Sequence, residues 1–283
     1  MSTMTRIAAL IGYPLEHSIS PVFQQAAFDY CHLDTLYKKW EVEPSGLERA
    51  IDLIRQPSCL GANVTIPYKE AVIPLLDGLE GLAPDIGAVN TIVKKGNRLI
   101  GYNTDAGGFL RSLREKGGFD PKGKKVAMIG AGGVARAIGF MLVRSGIQSL
   151  AIFDIDLERT RKLALELKAK GITVLESDKG SEFESAVSSA ELLVNCTPIG
   201  MKHSPSESQS PVAGELISPG SLVYDVVYNP IKTTLLKEAE RRGARVVGGL
   251  SMLVYQGAES FELWTGHKAP VDIMMKQAKE ALL

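Results

Sequence analysis

The 283-residue chain has few cysteines, no long apolar run and no excess of charge of either sign. Its three cysteines, Cys31, Cys59 and Cys196, are scattered and odd in number. They form neither a disulfide framework nor a metal-knuckle spacing, so no metal site is expected and a reducing, cytoplasmic setting is. The first twelve residues carry one basic side chain, Arg6, and an apolar run only from Ile7 to Ile11. That is too short for a secretory signal and reads as a first strand. No apolar stretch approaches the ~18 residues that span a membrane. Lys plus Arg total 32 and Asp plus Glu total 32, so no net field draws the chain to nucleic acid or anionic lipid.

What is present is ordinary for a globular protein: 45% hydrophobic and 23% charged residues, in a length that suits one large domain or two ordinary ones. The first hundred residues alternate β-type runs (Ile7–Ile11, Leu36–Val42, Ala62–Ile66) with helical segments (Pro21–Tyr30, Ser45–Arg55, Lys69–Leu76). Two more strands, Val89–Lys94 and Arg98–Tyr102, flank the turn Gly96-Asn97. A turn-rich linker, Gly117 to Gly123, follows a helix over Asp105–Lys116. Beyond it a second α/β series runs through Lys125–Ile129, Leu150–Asp154, Thr173–Glu176, Leu192–Asn195, Leu222–Val226 and Arg245–Val247. The Ser- and Pro-rich stretch Lys202–Pro211 reads as a mobile loop, and Ser251–Leu283 as helical again. The expected fold class is α/β in two domains. An N-terminal, mainly parallel α/β domain spans residues 1–106, and a Rossmann-type doubly wound domain spans 107–250. Helices over 251–283 return to the first.

Gly130-x-Gly132-x-x-Ala135 directly follows a predicted strand and opens a helical pattern, the context in which this spacing marks a dinucleotide turn. Gly130 permits the tight turn, and Gly132 lets backbone amides approach a pyrophosphate. Ala135 allows close helix packing, and Ala131, Gly133 and Val134 complete the segment. A glycine-rich βα turn without ligand is the bland alternative. The next strand ends at Asp154, where an acid accepts from a ribose 2′-hydroxyl and repels a 2′-phosphate. Asp156 adds a second acid, and Arg159 is the nearby cation. The competing reading is that Asp154 and Asp156 cap the helix that follows. NAD is expected over NADP, with NADP the alternative cofactor.

In the first domain polar residues gather at strand ends. Ser18 and Ser20 precede a predicted helix N-terminus and suit a carboxylate, although Ser-x-Ser-Pro alone is more often a cap. Asn63, Thr65 and Lys69 lie at and beyond another strand end, where a lone Lys is usually a solvated charge. Gly87-Ala88-Val89-Asn90-Thr91 and Asn103-Thr104-Asp105 add amide and acid groups.

Taken in order, His17-Ser18-x-Ser20-Pro21, Asn63-Val64-Thr65-x-Pro67-x-Lys69, Gly87 to Thr91 and Asn103-Thr104-Asp105 resemble the shikimate dehydrogenase family, including its quinate/shikimate branch. Asn195-Cys196-Thr197-Pro198-x-Gly200-Met201, Asp225 to Pro230 and Met252 to Gln256 continue the match almost end to end. The resemblance implies reversible oxidation of a ring hydroxyl of shikimate to 3-dehydroshikimate at a nicotinamide cofactor, with quinate as the alternative substrate. A catalytically idle NAD-binding sensor is the reading from another class. By the same resemblance Lys69 and Asp105 are the catalytic pair, and Ser18, Ser20 and Tyr228 take the carboxylate end. Asn63, Thr65, Asn90, Asp105 and Gln256 take the ring hydroxyls, while Thr197, Val226 and Gly249 line the nicotinamide and its ribose. The expected partner is thus a small molecule, and the expected assembly a monomer or homodimer. Two departures stand out. Gln24-Gln25 replaces the family's frequent His-Asn, and Asp154-Ile155-Asp156 replaces the Asn-Arg-Thr of NADP-type members.

Overall fold

A computed structural model describes residues 5–168 and 180–283, together with the backbone of residues 173–176. The elements run β1 (Arg6–Gly12), α1 (Ser20–Tyr30), β2 (Thr35–Glu41), α2 (Leu47–Ile54), β3 (Cys59–Val64), β4 (Gly78–Leu79), α3 (Ala83–Ile86), β5 (Thr91–Lys95) and β6 (Arg98–Tyr102). They continue with α4 (Asp105–Glu115), β7 (Lys125–Ile129), α5 (Gly133–Arg144), β8 (Ser149–Phe153), α6 (Leu157–Lys168), β9 (Thr173–Glu176), α7 (Ser181–Ser189) and β10 (Leu192–Asn195). The last are β11 (Leu222–Asp225), α8 (Thr234–Arg241), β12 (Arg245–Gly248), α9 (Leu250–Thr265) and α10 (Val271–Glu280). The chain divides into two compact units, one holding the residues up to Gly108 with Leu253–Leu283, the other Phe109–Met252.

The first unit is built on a mixed sheet in the order β2-β1-β3-β5-β6-β4. Its interior strand β1 buries Ala8, Ala9, Leu10 and Ile11 consecutively, as a strand covered on both faces must. β1 pairs in parallel with β2 and β3. One rung of that pairing aligns Lys39 of β2, Leu10 of β1 and Asn63 of β3. The two strands about Gly96-Asn97 form a hairpin, and β5 is antiparallel to both β3 and β6. Helix α2 buries Leu47, Ala50, Ile51 and Ile54, one apolar stripe at helical spacing against the sheet core.

The expected helix over Lys69–Leu76 does not form. Tyr68 to Val72 makes a single turn, Ile73–Leu75 is a 3-10 turn, and β4 follows. Pro74 explains the difference. It lacks the N–H that would bond to the carbonyl of Glu70, and Ile73 N donates to that carbonyl instead, so the eight-residue stretch tightens into a 3-10 turn.

The second unit carries an all-parallel sheet in the order β12-β11-β10-β7-β8-β9. The chain winds outward from β7 to β8 and β9, then restarts at β10 on the other side of β7. The crevice between β7 and β10 is therefore a topological switch point, where doubly wound sheets place ligands. Ile129 and Asn195, the last residues of these strands, are register partners. Below them Tyr224 is fully buried, edge-on to Phe109 at 4.9 Å, and its hydroxyl donates to Ser112. The stretch 202–211, expected to be a mobile loop, is a series of turns tied down by backbone bonds from Gly200 N to Ser206 O and from Lys202 N to Asn229 O.

Candidate active site and dinucleotide turn

The residues expected to act on a substrate fall, with one exception, in the first unit. Lys69 stands in the turn after β3, and Asp105 is the first residue of α4. Lys69 Nζ lies 2.6 Å from Asp105 Oδ2, and both side chains are largely withdrawn from water, at 19% and 10% exposure. Such a pair is costly unless the carboxylate's other lone pairs are met. Asn90 meets them, donating from Nδ2 to Asp105 Oδ1 at 2.9 Å. The orientation of Asn90 is fixed from the other side, because its Oδ1 accepts from the amide of Thr104 at 2.7 Å. Gln256 on α9 brings its Oε1 to 3.3 Å from Asn90 Nδ2.

Asn63 is buried beside this group, and its hydrogen bonds decide what it can offer. Its Oδ1 accepts from the hydroxyl of Tyr37 at 2.7 Å. Its Nδ2 faces Ser260 Oγ at 3.0 Å, Thr91 Oγ1 at 3.1 Å and the carbonyl of Asn90 at 3.2 Å. Two N–H groups against three acceptors leave no free donor, so Asn63 can meet a ligand only as an acceptor through Oδ1. Burial pushes the Tyr37 phenol's pKa upward, which keeps it a donor. Tyr37, Thr91 and Ser260 were absent from the sequence-based site. Ser260 follows Gln256 by one helical turn and donates to its carbonyl, and that spacing was the one available signal.

Ser18 and Ser20 stand at the start of α1, where Ser20 N donates to Ser18 Oγ at 3.4 Å. Thr65 follows β3, with its amide donating to Ile11 O at 2.9 Å. The departure Gln24-Gln25 keeps a packing role. Gln24 Nε2 donates to Gly257 O, and Gln25 Oε1 accepts from the amide of Tyr37, so the pair ties α1 to α9 and to β2.

In the second unit, Gly130, Asp154, Thr197, Val226 and Gly249 all stand just beyond the carboxyl ends of parallel strands, namely β7, β8, β10, β11 and β12. Gly130 has φ +103°, and a Cβ there would lie 3.0 Å from the backbone carbon of Cys196. Gly249 is equally constrained, since a Cβ would sit 2.0 Å from Val226 O. By contrast nothing lies within 4 Å of a Cβ built on Gly132 or Gly133. The first turn of the twelve-residue α5 thus offers the amides around Gly133 and Val134 to open space, without a side-chain cap.

The two acids behave differently. Asp154 Oδ2 accepts from Ala131 N at 2.7 Å and its Oδ1 from Asp156 N at 3.0 Å, so Asp154 ties the glycine turn to the end of β8. Asp156 caps α6, accepting from Arg159 N at 3.1 Å and pairing with the Arg159 side chain at 3.0 Å. Ile155 between them is 95% exposed. Asn195 holds Thr197 through bonds from both its amide and its hydroxyl, at 3.0 and 2.7 Å. Asp225, fully buried, in turn accepts from Asn195, Val227 N and Thr233. Tyr228 is in this second unit, half-buried, and burial raises its phenol pKa. Among the described residues no group of three His, Cys, Asp or Glu side chains is arranged to hold a metal ion, and no helix is long and apolar enough to cross a membrane.

Comparison with known proteins gives consistent results. The family model for the shikimate dehydrogenase substrate binding domain matches residues 10–92, and that for the shikimate 5'-dehydrogenase C-terminal domain matches residues 249–279. A shikimate dehydrogenase (NADP(+)) of Moorella thermoacetica is 44% identical over 280 residues, covering 98% of this chain and 94% of its own length. Among solved structures, shikimate 5-dehydrogenase from Listeria monocytogenes in complex with shikimate and NAD is 33% identical. It superposes with a TM-score of 0.90 over 99% of this chain and 96% of that one. Quinate dehydrogenase from Corynebacterium glutamicum in complex with NAD is 32% identical, with a TM-score of 0.89 over 98% and 99%.

Asp225 generates a prediction about stability. Burial raises its pKa from 3.8 to about 6 against the opposing pull of its three donors. The folded state therefore keeps a proton that the unfolded chain releases over that interval. The corresponding stabilisation is full below the unfolded pKa and is lost as pH rises through the folded one. Urea unfolding of the native chain and of Asp225→Asn from pH 4 to 7 should show the native chain losing up to about 3 kcal/mol relative to the variant. A difference independent of pH would refute this assignment.

Proposed function

The chain belongs to the shikimate dehydrogenase family of NAD(P)-dependent oxidoreductases, and we propose that it interconverts shikimate and 3-dehydroshikimate with NAD as its preferred cofactor. The observation that carries the chemistry is the Lys69–Asp105 pair held on Asn90. Oxidising a secondary alcohol requires that its hydroxyl proton be removed, and reducing the ketone requires that one be returned. Lys69 Nζ is the group for that proton: as an amine it takes it from the reacting oxygen, as an ammonium it gives it back. Asp105 aims Nζ and stabilises its charged form, while Asn90 keeps the carboxylate from turning away. Ser18 and Ser20 receive the substrate carboxylate. Thr65, Asn90 and Gln256 contact ring hydroxyls, and Asn63 accepts from one. A small polyhydroxylated acid suits such a cage, since each buried polar group would be left unmatched by a substrate lacking its partner.

The glycine turn fits a dinucleotide, because the space over Gly132 and Gly133 is open and the amides of α5 face it. When bound, the nicotinamide supplies or accepts the hydride. Ala131 and Val134 extend the same turn, and Thr197, Val226 and Gly249 would hold the nicotinamide end of the cofactor. The preference for NAD rests on Asp154-Ile155-Asp156, two acids flanking an exposed aliphatic side chain where NADP-type members carry Arg. Arg159, engaged with Asp156, is a weak candidate for a 2′-phosphate clamp. The NADP in the name of the Moorella relative is the counterweight. Quinate is the second reading for the substrate, favoured by the likeness to the Corynebacterium quinate dehydrogenase in complex with NAD. Three free thiols suit a reducing cytoplasm.

Initial rates with shikimate and quinate, each with NAD and NADP, test both choices. The highest kcat/KM is expected for shikimate with NAD. A higher value with NADP would overturn the cofactor assignment, and a higher value with quinate the substrate assignment. Ile155→Arg, at an exposed site, should raise kcat/KM for NADP by about tenfold through one charge-assisted contact and leave NAD turnover within a few-fold. Lys69→Ala should lower kcat by roughly a thousandfold with an unchanged circular dichroism spectrum. Near-normal kcat in that variant would remove Lys69 from the mechanism.

A further inference from the structure

The serines read above as carboxylate anchors are neutral, and so are the amides of α1 beside them. A cation stands next to them on β2. Lys39 Nζ donates to the carbonyls of Leu15 and Glu16 at 2.9 and 3.2 Å. Leu15 O also accepts from Ser18 N at 3.1 Å, so through that shared oxygen the ammonium lies within about 6 Å of the Ser18 amide. Register places Lys39 on the same face as the site. Lys39, Leu10 and Asn63 occupy one rung of three neighbouring strands, and side chains along a rung project to one side of the sheet. Tyr37, two residues earlier on β2, reaches Asn63 across that face. An ammonium has three N–H donors, and the two carbonyls engage two of them. Glu41 is next along the face, opposite Gly12.

We propose that Lys39 is the cation of the carboxylate site: it positions the Leu15–Ser18 turn and turns positive charge toward the acid group that Ser18 and Ser20 bind. The proposal rests on the reading of this turn as the anchor of the shikimate carboxylate. It adds charge to a subsite otherwise made of hydroxyls and backbone amides. An exposed charge acting over this distance strengthens binding of an anion and is weakened by salt. It has no reason to alter the chemical step.

Steady-state kinetics of native enzyme, Lys39→Met and Lys39→Arg with NAD test this, using shikimate and its methyl ester at low and high ionic strength. Lys39→Met should raise KM for shikimate about tenfold, with kcat within about twofold and KM for NAD unchanged. The rise should be absent with the methyl ester, and Lys39→Arg should restore KM. Salt should raise KM for shikimate in the native enzyme and far less in Lys39→Met. An unchanged KM in Lys39→Met would overturn the proposal. So would equal losses for acid and ester, or a fall in kcat together with Tm, since these mark a brace for the turn and no more. Failure of the native enzyme to oxidise shikimate would instead remove the substrate reading, and the proposal with it.

Discussion

A carboxylate withdrawn from water has to be met by donors, and in the first unit the carboxylate of Asp105 sets the arrangement of everything polar around it. Lys69 supplies one partner and Asn90 the other. Asn90 can do so only because the Thr104 amide holds its carbonyl oxygen. Thr104 precedes α4 and Asn90 precedes β5, so two separate chain segments must converge before Asp105 can be buried as an ion. The antiparallel hairpin β5–β6 brings them together, which gives a structural reason for interrupting an otherwise parallel sheet at that point. The hydroxyls of Thr91 and Ser260 then close the network onto Asn63.

Much of this was legible from local signals. The glycine turn after β7 could be read because its steric demands are met by few residue types at fixed spacing. Strand β6 was read to its exact ends because the Gly96-Asn97 turn and Asn103 bound it. The pairing of Lys69 with Asp105 came through resemblance, since 36 residues separate them and no periodicity links them. The helix read over Lys69–Leu76 failed for a local reason, the weight given to apolar spacing over Pro74. Tyr37 and Lys39 were invisible for a different one. Each acts through hydrogen bonds to residues distant in sequence, and a single Tyr or Lys carries no local mark of such a partner, while Ser260 was marked only by its spacing of one helical turn from Gln256.

The second unit handles its buried acid by another route. Asp225 has no nearby cation among its partners; a hydroxyl, a side-chain amide and a backbone amide surround it. Neutral donors offset less of the desolvation cost than a cation does, which is why burial prevails and its pKa rises. What the arrangement gains is geometry. Through Asn195 the carboxylate holds Thr197, through Val227 it holds the turn after β11, and through Thr233 the N-cap of α8. The segments that follow β10 and β11 and the start of α8 are thereby tied to one carboxylate.

Asp154 applies the same logic beside the glycine turn, and there its two tasks cannot be separated. The carboxylate that would meet a ribose hydroxyl also accepts the Ala131 amide and so shapes the turn that would carry the pyrophosphate. Replacing it with a neutral aliphatic residue would orphan that amide as well as change the charge. Residue 155, between the acids, is under no such constraint, because its side chain is almost wholly exposed and contributes nothing to the turn. Within this segment, then, the position free to vary is the one at which NADP-type members carry Arg. The proposed difference in cofactor preference from the relative that is 44% identical needs no change in the sheet, the glycine turn or the Asp225 network. It can reside in a single solvent-facing side chain at the end of β8.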